Sequence, residues 1–263
     1  MSAELTPEKI KDNLSTLLIG SEVRVAGEVG STNDWAKQEL ARGAAPGLAV
    51  VADSQTEGRG RYGRTWVSPP GLGLYLSVLL APPVEKNHYP LLTLMAGVAA
   101  ARAAAAFSRT VLGLKWPNDL LVGTRKLGGI LLEYCPGERS GVVLGIGINV
   151  NNPSFPDDIE NLATSLRLAN GAPVDRLALL RSLLNCLDEE YEGFLLGGDR
   201  EIVRKWSERS PMFGEPVSVV QGPHLWEGTA LRLDDWGRLV IRTGDGREQV
   251  FDAGEVTLRR AAE

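Results

Sequence analysis

An arginine- and glycine-rich stretch in the first quarter of the chain has the composition of an anion-binding loop. Its sequence, GRGRYGRTW (residues 58–66), holds three arginines and three glycines. Glycine lets the backbone approach a ligand closely, and the planar fork of arginine suits phosphate or carboxylate oxygens. A flexible, solvated surface loop is the alternative interpretation. Because a predicted strand precedes the stretch and a large stacking surface, Trp66, ends it, we favour an organised anion site.

Two further segments combine charged side chains with turn or strand signals. In KWPND (residues 115–119) a strand delivers Lys115, the proline stops regular pairing, and Asn118 and Asp119 add side-chain oxygens. An ordinary tight turn explains this segment equally well. In KLGGIL (residues 126–131) two glycines beside Lys126 indicate that a ligand lies against the backbone, although a solvated turn lysine is the default interpretation.

Two more segments are ambiguous when taken singly. Gly145, Gly147 and Asn149 share one face of a strand by the period of two, and either a ligand or a closely packed helix could use that face. The residues Ser31, Thr32 and Asn33 include good helix caps, so capping is the favoured interpretation before context is considered.

Composition limits the partners of the chain. A net charge of -5 and a pI near 5.3 argue against a general nucleic-acid or membrane-surface binder, so any anion site must be local. The polar N-terminus lacks the features of a signal peptide, and we expect a cytoplasmic protein. The two cysteines and two histidines are spaced unlike a disulfide framework or a metal cluster.

Hydrophobic periodicity and turn residues predict the elements that must position these segments. We expect a mostly antiparallel sheet with flanking helices in a larger domain of residues 1–211, and a small β domain in residues 212–263. The predicted helices span residues 6–20, 31–42, 89–107, 175–196 and 199–209. The predicted strands span residues 23–29, 48–52, 74–80, 112–116, 119–122, 125–134, 141–149, 217–220, 225–233, 239–243, 249–252 and 256–258.

Taken together and in this order, the five segments resemble the biotin–protein ligases. The resemblance covers residues 30–152 most strongly and implies an α+β fold: a catalytic core like that of class II aminoacyl-tRNA synthetases, followed by a small SH3-like β-barrel. It also implies that biotin is joined to a lysine of a carrier protein, such as the biotin carboxyl carrier protein of acetyl-CoA carboxylase, through biotinyl-5′-AMP. The substrates and cofactors so implied are biotin, ATP and Mg²⁺, with the metal bound mainly through the ATP phosphates.

The resemblance also implies roles for individual residues. Catalytic roles fall to Lys126, Asp119 and Arg61, because attack of a carboxylate on the α-phosphate needs fixed positive charge, and the carrier lysine needs a group to orient it or take its proton. The implied biotin contacts are Ser31, Thr32, Asn33, Gln55, Gly58, Arg59, Gly60, Arg61, Lys126, Gly128 and Gly129. The implied ATP or adenylate contacts are Arg59, Arg61, Arg64, Trp66, Lys115, Asn118, Asp119 and Asn149.

Several alternatives stay open at this point. A lipoate or octanoate ligase or transferase would share the fold and the acyl chemistry. A noncatalytic biotin or nucleotide sensor and a DNA-binding repressor are rivals of another class. About 20 residues precede the first predicted strand, fewer than the roughly 55–65 of a small independent domain, so we expect the monofunctional form with no nucleic-acid or membrane partner, and a homodimer as one candidate assembly.

Overall fold

The computed structural model describes residues 5–137 and 139–258. A seven-stranded sheet in the order β1-β2-β3-β7-β6-β5-β4 forms its larger part, and only the β1–β2 pair within it is parallel. The predicted mostly antiparallel sheet with helices is therefore confirmed. The strands of this sheet are β1 (Val23–Val29), β2 (Ala49–Gln55), β3 (Gly73–Leu80), β4 (Leu112–Lys115), β5 (Asp119–Val122), β6 (Arg125–Cys135) and β7 (Gly141–Asn149).

Six α-helices occur in the part of the chain that the structure describes. They are α1 (Pro7–Lys11), α2 (Thr32–Ala41), α3 (Tyr89–Ala105), α4 (Leu166–Asn170), α5 (Arg176–Leu195) and α6 (Asp199–Ser207). Helix α3 is apolar nearly all round and alanine-rich, so it is buried against α5, α6 and strands β4, β5 and β6. Helix α5 begins at its N-cap Asp175, whose carboxylate accepts from the backbone N–H groups of Leu177 and Ala178.

The first and fourth helices differ from the sequence prediction. Helix α1 ends at Lys11 rather than near Gly20. The following segment is irregular because the Asp188 carboxylate accepts hydrogen bonds from the backbone N–H groups of Leu17, Leu18 and Ile19, which replace helical bonds. Helix α4 has only five residues and no apolar periodicity long enough to predict it.

A second, five-stranded antiparallel sheet follows in the order β11-β10-β9-β8-β12. The buried indole N–H of Trp116, just after β4, donates to the Gly237 carbonyl at 3.0 Å in the turn between β9 and β10 and so joins the two sheets. None of the described helices is long and apolar enough to cross a membrane. The strands of the second sheet are β8 (Pro216–Gln221), β9 (His224–Leu233), β10 (Leu239–Thr243), β11 (Glu248–Phe251) and β12 (Glu255–Leu258).

Candidate active site

A cleft of about 690 Å³ lies over one face of β6 and β7 and is closed by the loop of residues 58–66 and by β12 of the second sheet. Most of the sequence-predicted site residues line it, although they come from six separate segments of the chain. The predicted residues that line the cleft are Ser31, Asn33, Gln55, Arg59, Gly60, Arg61, Arg64, Trp66, Lys115, Asn118, Asp119, Lys126, Gly129 and Asn149.

Glycines in the floor of the cleft make room for two large side chains. A Cβ atom on Gly145 would lie 2.2 Å from Asn33 Oδ1, and one on Gly147 would lie 2.6 Å from Trp66 Nε1. In the β6–β7 register, Gly147 pairs with Gly129. Asn33 therefore lies over Gly145 and Trp66 lies over Gly147. These two positions are about 7 Å apart, the spacing of alternate residues on a strand. The open face predicted for β7 is therefore filled by these two side chains.

Amide and hydroxyl groups form a hydrogen-bonded network at the Asn33 end of the floor. The backbone N–H and the hydroxyl of Thr32 lie 2.9 and 3.1 Å from Gln55 Oε1. Gln55 Nε2 donates to Ser68 Oγ at 2.9 Å, and the buried Ser77 Oγ donates to Asn33 Oδ1 at 2.6 Å. This end of the cleft therefore presents neutral donors and acceptors in fixed positions.

Helix capping does not explain all three residues of the Ser31-Thr32-Asn33 segment. Ser31 is the N-cap of α2 by backbone position, but its side chain makes no capping hydrogen bond and lines the cleft. Gly58 and Gly128 do not line it. A Cβ atom on Gly58 would lie 2.5 Å from the Trp66 carbonyl oxygen, and one on Gly128 would lie 2.8 Å from the Gly147 carbonyl oxygen. Thr32 does not line the cleft either, but its backbone N–H donates to the side chain of Gln55, which does.

A buried carboxylate between two ammonium groups marks the charged part of the cleft. Asp119 lies 2.5 Å from Lys126 Nζ and 3.0 Å from Lys115 Nζ. Burial raises the pKa of the Asp119 carboxyl, but the two lysines outweigh burial and hold that pKa below its usual range. Lys126 Nζ also lies 5.6 Å from the centre of the Trp66 ring. Its backbone N–H donates to the Leu162 carbonyl at 2.7 Å, which braces the lysine from a neighbouring segment.

The arginines of the loop are held by two separate parts of the protein. Arg59 forms an ion pair of 2.5 Å with Asp34 of α2, and this hydrogen bond lowers the pKa of the Asp34 carboxyl. Arg61 donates to the Gly254 carbonyl at 3.1 Å, and Arg64 forms an ion pair of 2.6 Å with Glu255. The loop therefore spans from helix α2 to the second sheet.

Several residues of the cleft were not found by sequence reasoning. The segment between β7 and α4 contributes Phe155, Ile159, Asn161, Leu162 and Ala163, and the second sheet contributes Glu255, Val256, Thr257 and Leu258. Neither segment carries an arginine- and glycine-rich motif that would distinguish it from an ordinary loop or strand. Ser68 and Ser77, which orient Gln55 and Asn33, were missed because a single serine inside a strand or loop has no distinctive signal.

The donor set for a metal ion is limited. Within residues 5–137 and 139–258, no group of three His, Cys, Asp or Glu side chains could hold a metal ion. Mg²⁺ commonly keeps several waters and binds through one or two carboxylates together with substrate phosphates. The residues described therefore do not form a magnesium cage of their own.

Two parts of the chain match described protein families. Residues 27–151 match the Biotin/lipoate A/B protein ligase family, and residues 212–259 match the Biotin protein ligase C terminal domain. The bifunctional ligase/repressor BirA of Bacillus spizizenii is 35% identical over 255 residues, which cover 95% of this chain and 78% of that protein. The biotin–[acetyl-CoA-carboxylase] ligase of Mycobacterium tuberculosis is 34% identical over 267 residues, which cover 97% of this chain and 98% of that protein.

Solved structures show the same architecture. A biotin protein ligase from Aquifex aeolicus in complex with biotin and ATP superimposes with a TM-score of 0.81 at 33% identity, covering 92% of this chain and 100% of that chain. A biotin protein ligase from Leishmania major in complex with biotinyl-5-AMP superimposes with a TM-score of 0.57 at 27% identity, covering 89% of this chain and 99% of that chain.

Proposed function

We propose the roles of the site residues on the premise that this chain belongs to the Biotin/lipoate A/B protein ligase family. It is a ligase that uses ATP to join biotin to a biotin carrier protein. The reaction passes through biotinyl-5′-AMP. Attack of the biotin carboxylate on the α-phosphorus forms an acyl–phosphate bond and releases pyrophosphate. A lysine amine of the carrier then attacks the acyl carbon, which forms an amide and releases AMP.

One observation supports this assignment of the cleft most directly. One end of the cleft presents the uncharged amides of Asn33 and Gln55, and it lies one strand repeat from a charged end, built from Lys126 and Asp119. Biotin has a neutral ureido ring at one end and a carboxylate at the other. The two ends of the cleft therefore complement the two ends of biotin.

In the first step, we assign charge stabilisation to Lys126 and Arg61. Two anions, the carboxylate and the α-phosphate, must approach each other, so preorganised cations lower the barrier most where charge accumulates. Asp119 holds Lys126 in place at 2.5 Å, and Arg61 is held by the Gly254 carbonyl. Mg²⁺ carried by the ATP phosphates would neutralise phosphate charge, and the protein residues supply the remaining positive charge.

In the second step, the carrier lysine must attack as a neutral amine. The lowered pKa of Asp119 makes its carboxylate a weak base, so we assign it the orientation of the amine by hydrogen bonding. Of the two roles expected for Asp119, orienting the carrier lysine or taking its proton, we therefore propose the first. Trp66 and Asn149 line the cleft beside this pair and are assigned to the adenylate.

The proposal extends to the fold and the assembly. The seven-stranded, mostly antiparallel sheet with flanking helices supports a class II synthetase-like domain, and the five-stranded sheet from Pro216 onward supports an SH3-like domain that begins near residue 212. Strand β1 is an edge strand, which supports a homodimer formed by pairing of such edges. The use of ATP supports a cytoplasmic location.

Incubation of the purified protein with ATP, Mg²⁺ and either biotin or lipoate tests the assigned substrate. We expect pyrophosphate release and a bound species with the mass of biotinyl-5′-AMP in the biotin reaction. Lipoate should give neither signal above background. Adenylation of lipoate in preference to biotin would contradict the assignment and favour the lipoate ligase alternative, and binding of biotin without pyrophosphate release would favour a sensor.

A further inference from the structure

Glu133 on β6 holds the side chain of Asn33 in one orientation. Asn33 Nδ2 donates to Glu133 Oε2 at 2.7 Å and to the Leu131 carbonyl at 3.3 Å. A carboxylate and a carbonyl can only accept hydrogen bonds. If the Asn33 amide were rotated by half a turn, its oxygen would face two acceptors. The nitrogen of Asn33 must therefore point toward Glu133.

The opposite end of the Asn33 amide is an acceptor that lies over Gly145 in the floor of the cleft. Its Oδ1 accepts from the buried Ser77 hydroxyl at 2.6 Å, and Asn33 lines the cleft. A carbonyl oxygen has two lone pairs, so one remains for a ligand. The contact with Glu133 thus decides that Asn33 offers an acceptor to the cleft.

Lys37 limits the freedom of the Glu133 carboxylate. Its ammonium lies 2.5 Å from Glu133 Oε1, the oxygen that Asn33 does not use, and 3.3 Å from Asp34 Oδ1. Glu133 is only half-buried, with 28% of its side chain exposed, so packing alone would leave it free to turn. With one oxygen held by Lys37, the other stays directed at Asn33.

We propose that Glu133 is a positioning residue for recognition of the cyclic urea of biotin, an inference that rests on the proposed function. It keeps the Asn33 carbonyl oxygen available to accept from a ureido N–H. Lipoate and octanoate carry no N–H group at the corresponding end, so this orientation selects acids that carry a cyclic urea. If the Asn33 amide were flipped, its N–H groups would face the N–H groups of the ureido ring, and two donors cannot form a hydrogen bond.

Glu133→Gln tests the proposal because it keeps the shape of the side chain. The glutamine carbonyl is drawn to the Lys37 ammonium, since hydrogen bonds to a charged donor are the stronger ones. Its NH₂ group then faces Asn33 and favours the flipped amide. We expect the biotin Kd from calorimetry to rise about 10- to 100-fold, the range for leaving a buried hydrogen-bond donor of the ureido group without an acceptor. The Kd of desthiobiotin, which retains the ureido group, should rise equally, while the KM for ATP and kcat at saturating biotin stay unchanged.

The double variant Lys37→Met with Glu133→Gln separates amide orientation from a structural role. Without the ammonium, the glutamine carbonyl can turn to Asn33, so most of the biotin affinity should return. Glu192→Gln, at an exposed position on α5, is the matched control and should leave all constants unchanged. If Glu133→Gln does not fold, the double variant is compared with Lys37→Met, and the two should bind biotin equally.

The proposal is overturned if Glu133→Gln binds biotin as tightly as the parent protein, or if its KM for ATP rises together with the biotin Kd. It is also overturned if the double variant binds biotin no better than Glu133→Gln, or more weakly than Lys37→Met. Failure of the proposed function gives a different result. In that case the parent protein itself shows no pyrophosphate release with biotin and ATP.

Discussion

At the scale of single residues, the charged part of the cleft depends on Lys126 and its partner Asp119. The lysine is partly exposed, with 35% of its side chain accessible, while only 13% of the Asp119 side chain is accessible. Lys126 lines the cleft and is not one of the buried core residues. We propose that its role is to place one positive charge beside the reacting carboxylate.

Lys126→Ala should lower adenylate formation far more than it lowers stability. Removing one preorganised charge-stabilising donor reduces rates by about 100- to 1,000-fold. Pyrophosphate release in a single turnover measures this effect, and the melting temperature measures stability. Lys86→Ala, a lysine outside the cleft whose ammonium lies over the Tyr134 ring, is the control. A rate close to that of the parent would mean that Lys126 is an ordinary turn lysine.

Asp119→Asn should alter how stability depends on pH. The folded pKa of Asp119 is below its ordinary value of 3.8, so its ion pairs stabilise the protein fully above that pH and are lost as pH falls through the folded pKa. At pH 6 the variant should be less stable by about 1–2 kcal/mol, below the ~3–5 kcal/mol of a fully buried pair, because both lysines reach solvent. Urea unfolding should show that the difference in unfolding free energy between parent and variant is smaller at pH 3 than at pH 6. An equal difference at both pH values would show that ionisation of Asp119 does not contribute to stability.

At the scale of elements, the loop of residues 58–66 connects the two sheets to α2. It closes on itself through the backbone bond from Trp66 N–H to the Gly58 carbonyl at 2.8 Å. Gly63 has a φ of 73°, which L residues with a side chain adopt at a cost, so this turn suits glycine. Its arginines reach outward to Asp34 and Glu255. We therefore expect the loop to cover an adenylate and slow its escape.

Arg61→Ala should release preformed biotinyl-AMP faster than the parent protein does. The substitution removes the contact with the Gly254 carbonyl and one positive charge beside the acyl phosphate, while the loop's backbone bonds remain. We expect release to accelerate about 10-fold or more, as for the loss of a hydrogen bond to a charged group. A filter assay of the preformed adenylate gives the rate. Arg200→Ala, at a side chain 86% exposed and outside the cleft, is the control, and equal release from both variants would contradict this role for the loop.

The elements differ in how far sequence alone could predict them. Strands such as β1, β5, β7 and β10 begin and end where alternation and turn residues place them, because local pattern and burial agree there. Helix α1 was predicted too long because part of the chain predicted to be helical, at Leu17 to Ile19, is instead held by Asp188, which is 169 residues or more away along the chain. The role of Glu133 was missed for the same reason, since its contact with Asn33 spans 100 residues. Long-range contacts of this kind leave no local pattern.

At the scale of the whole molecule, the two sheets share one cleft. The first sheet supplies the floor through β6 and β7, and β12 of the second sheet supplies part of the rim. Trp116 joins the two sheets through Gly237, and the contact lies directly before the turn that carries Asn118 and Asp119. The second sheet therefore belongs to the architecture of the site as well as to the stability of the molecule.

Biotinylation of a carrier protein is the most direct test of the central claim. The protein is incubated with biotin, ATP, Mg²⁺ and a biotin carboxyl carrier domain, and the carrier is examined by intact mass. A carrier in which the target lysine is replaced by arginine is the control. We predict that the intact carrier gains the mass of one biotinyl group, that the gain requires ATP, and that the control carrier stays unmodified. An unmodified carrier, in a mixture where biotin and ATP are both shown to bind the protein, would contradict the account.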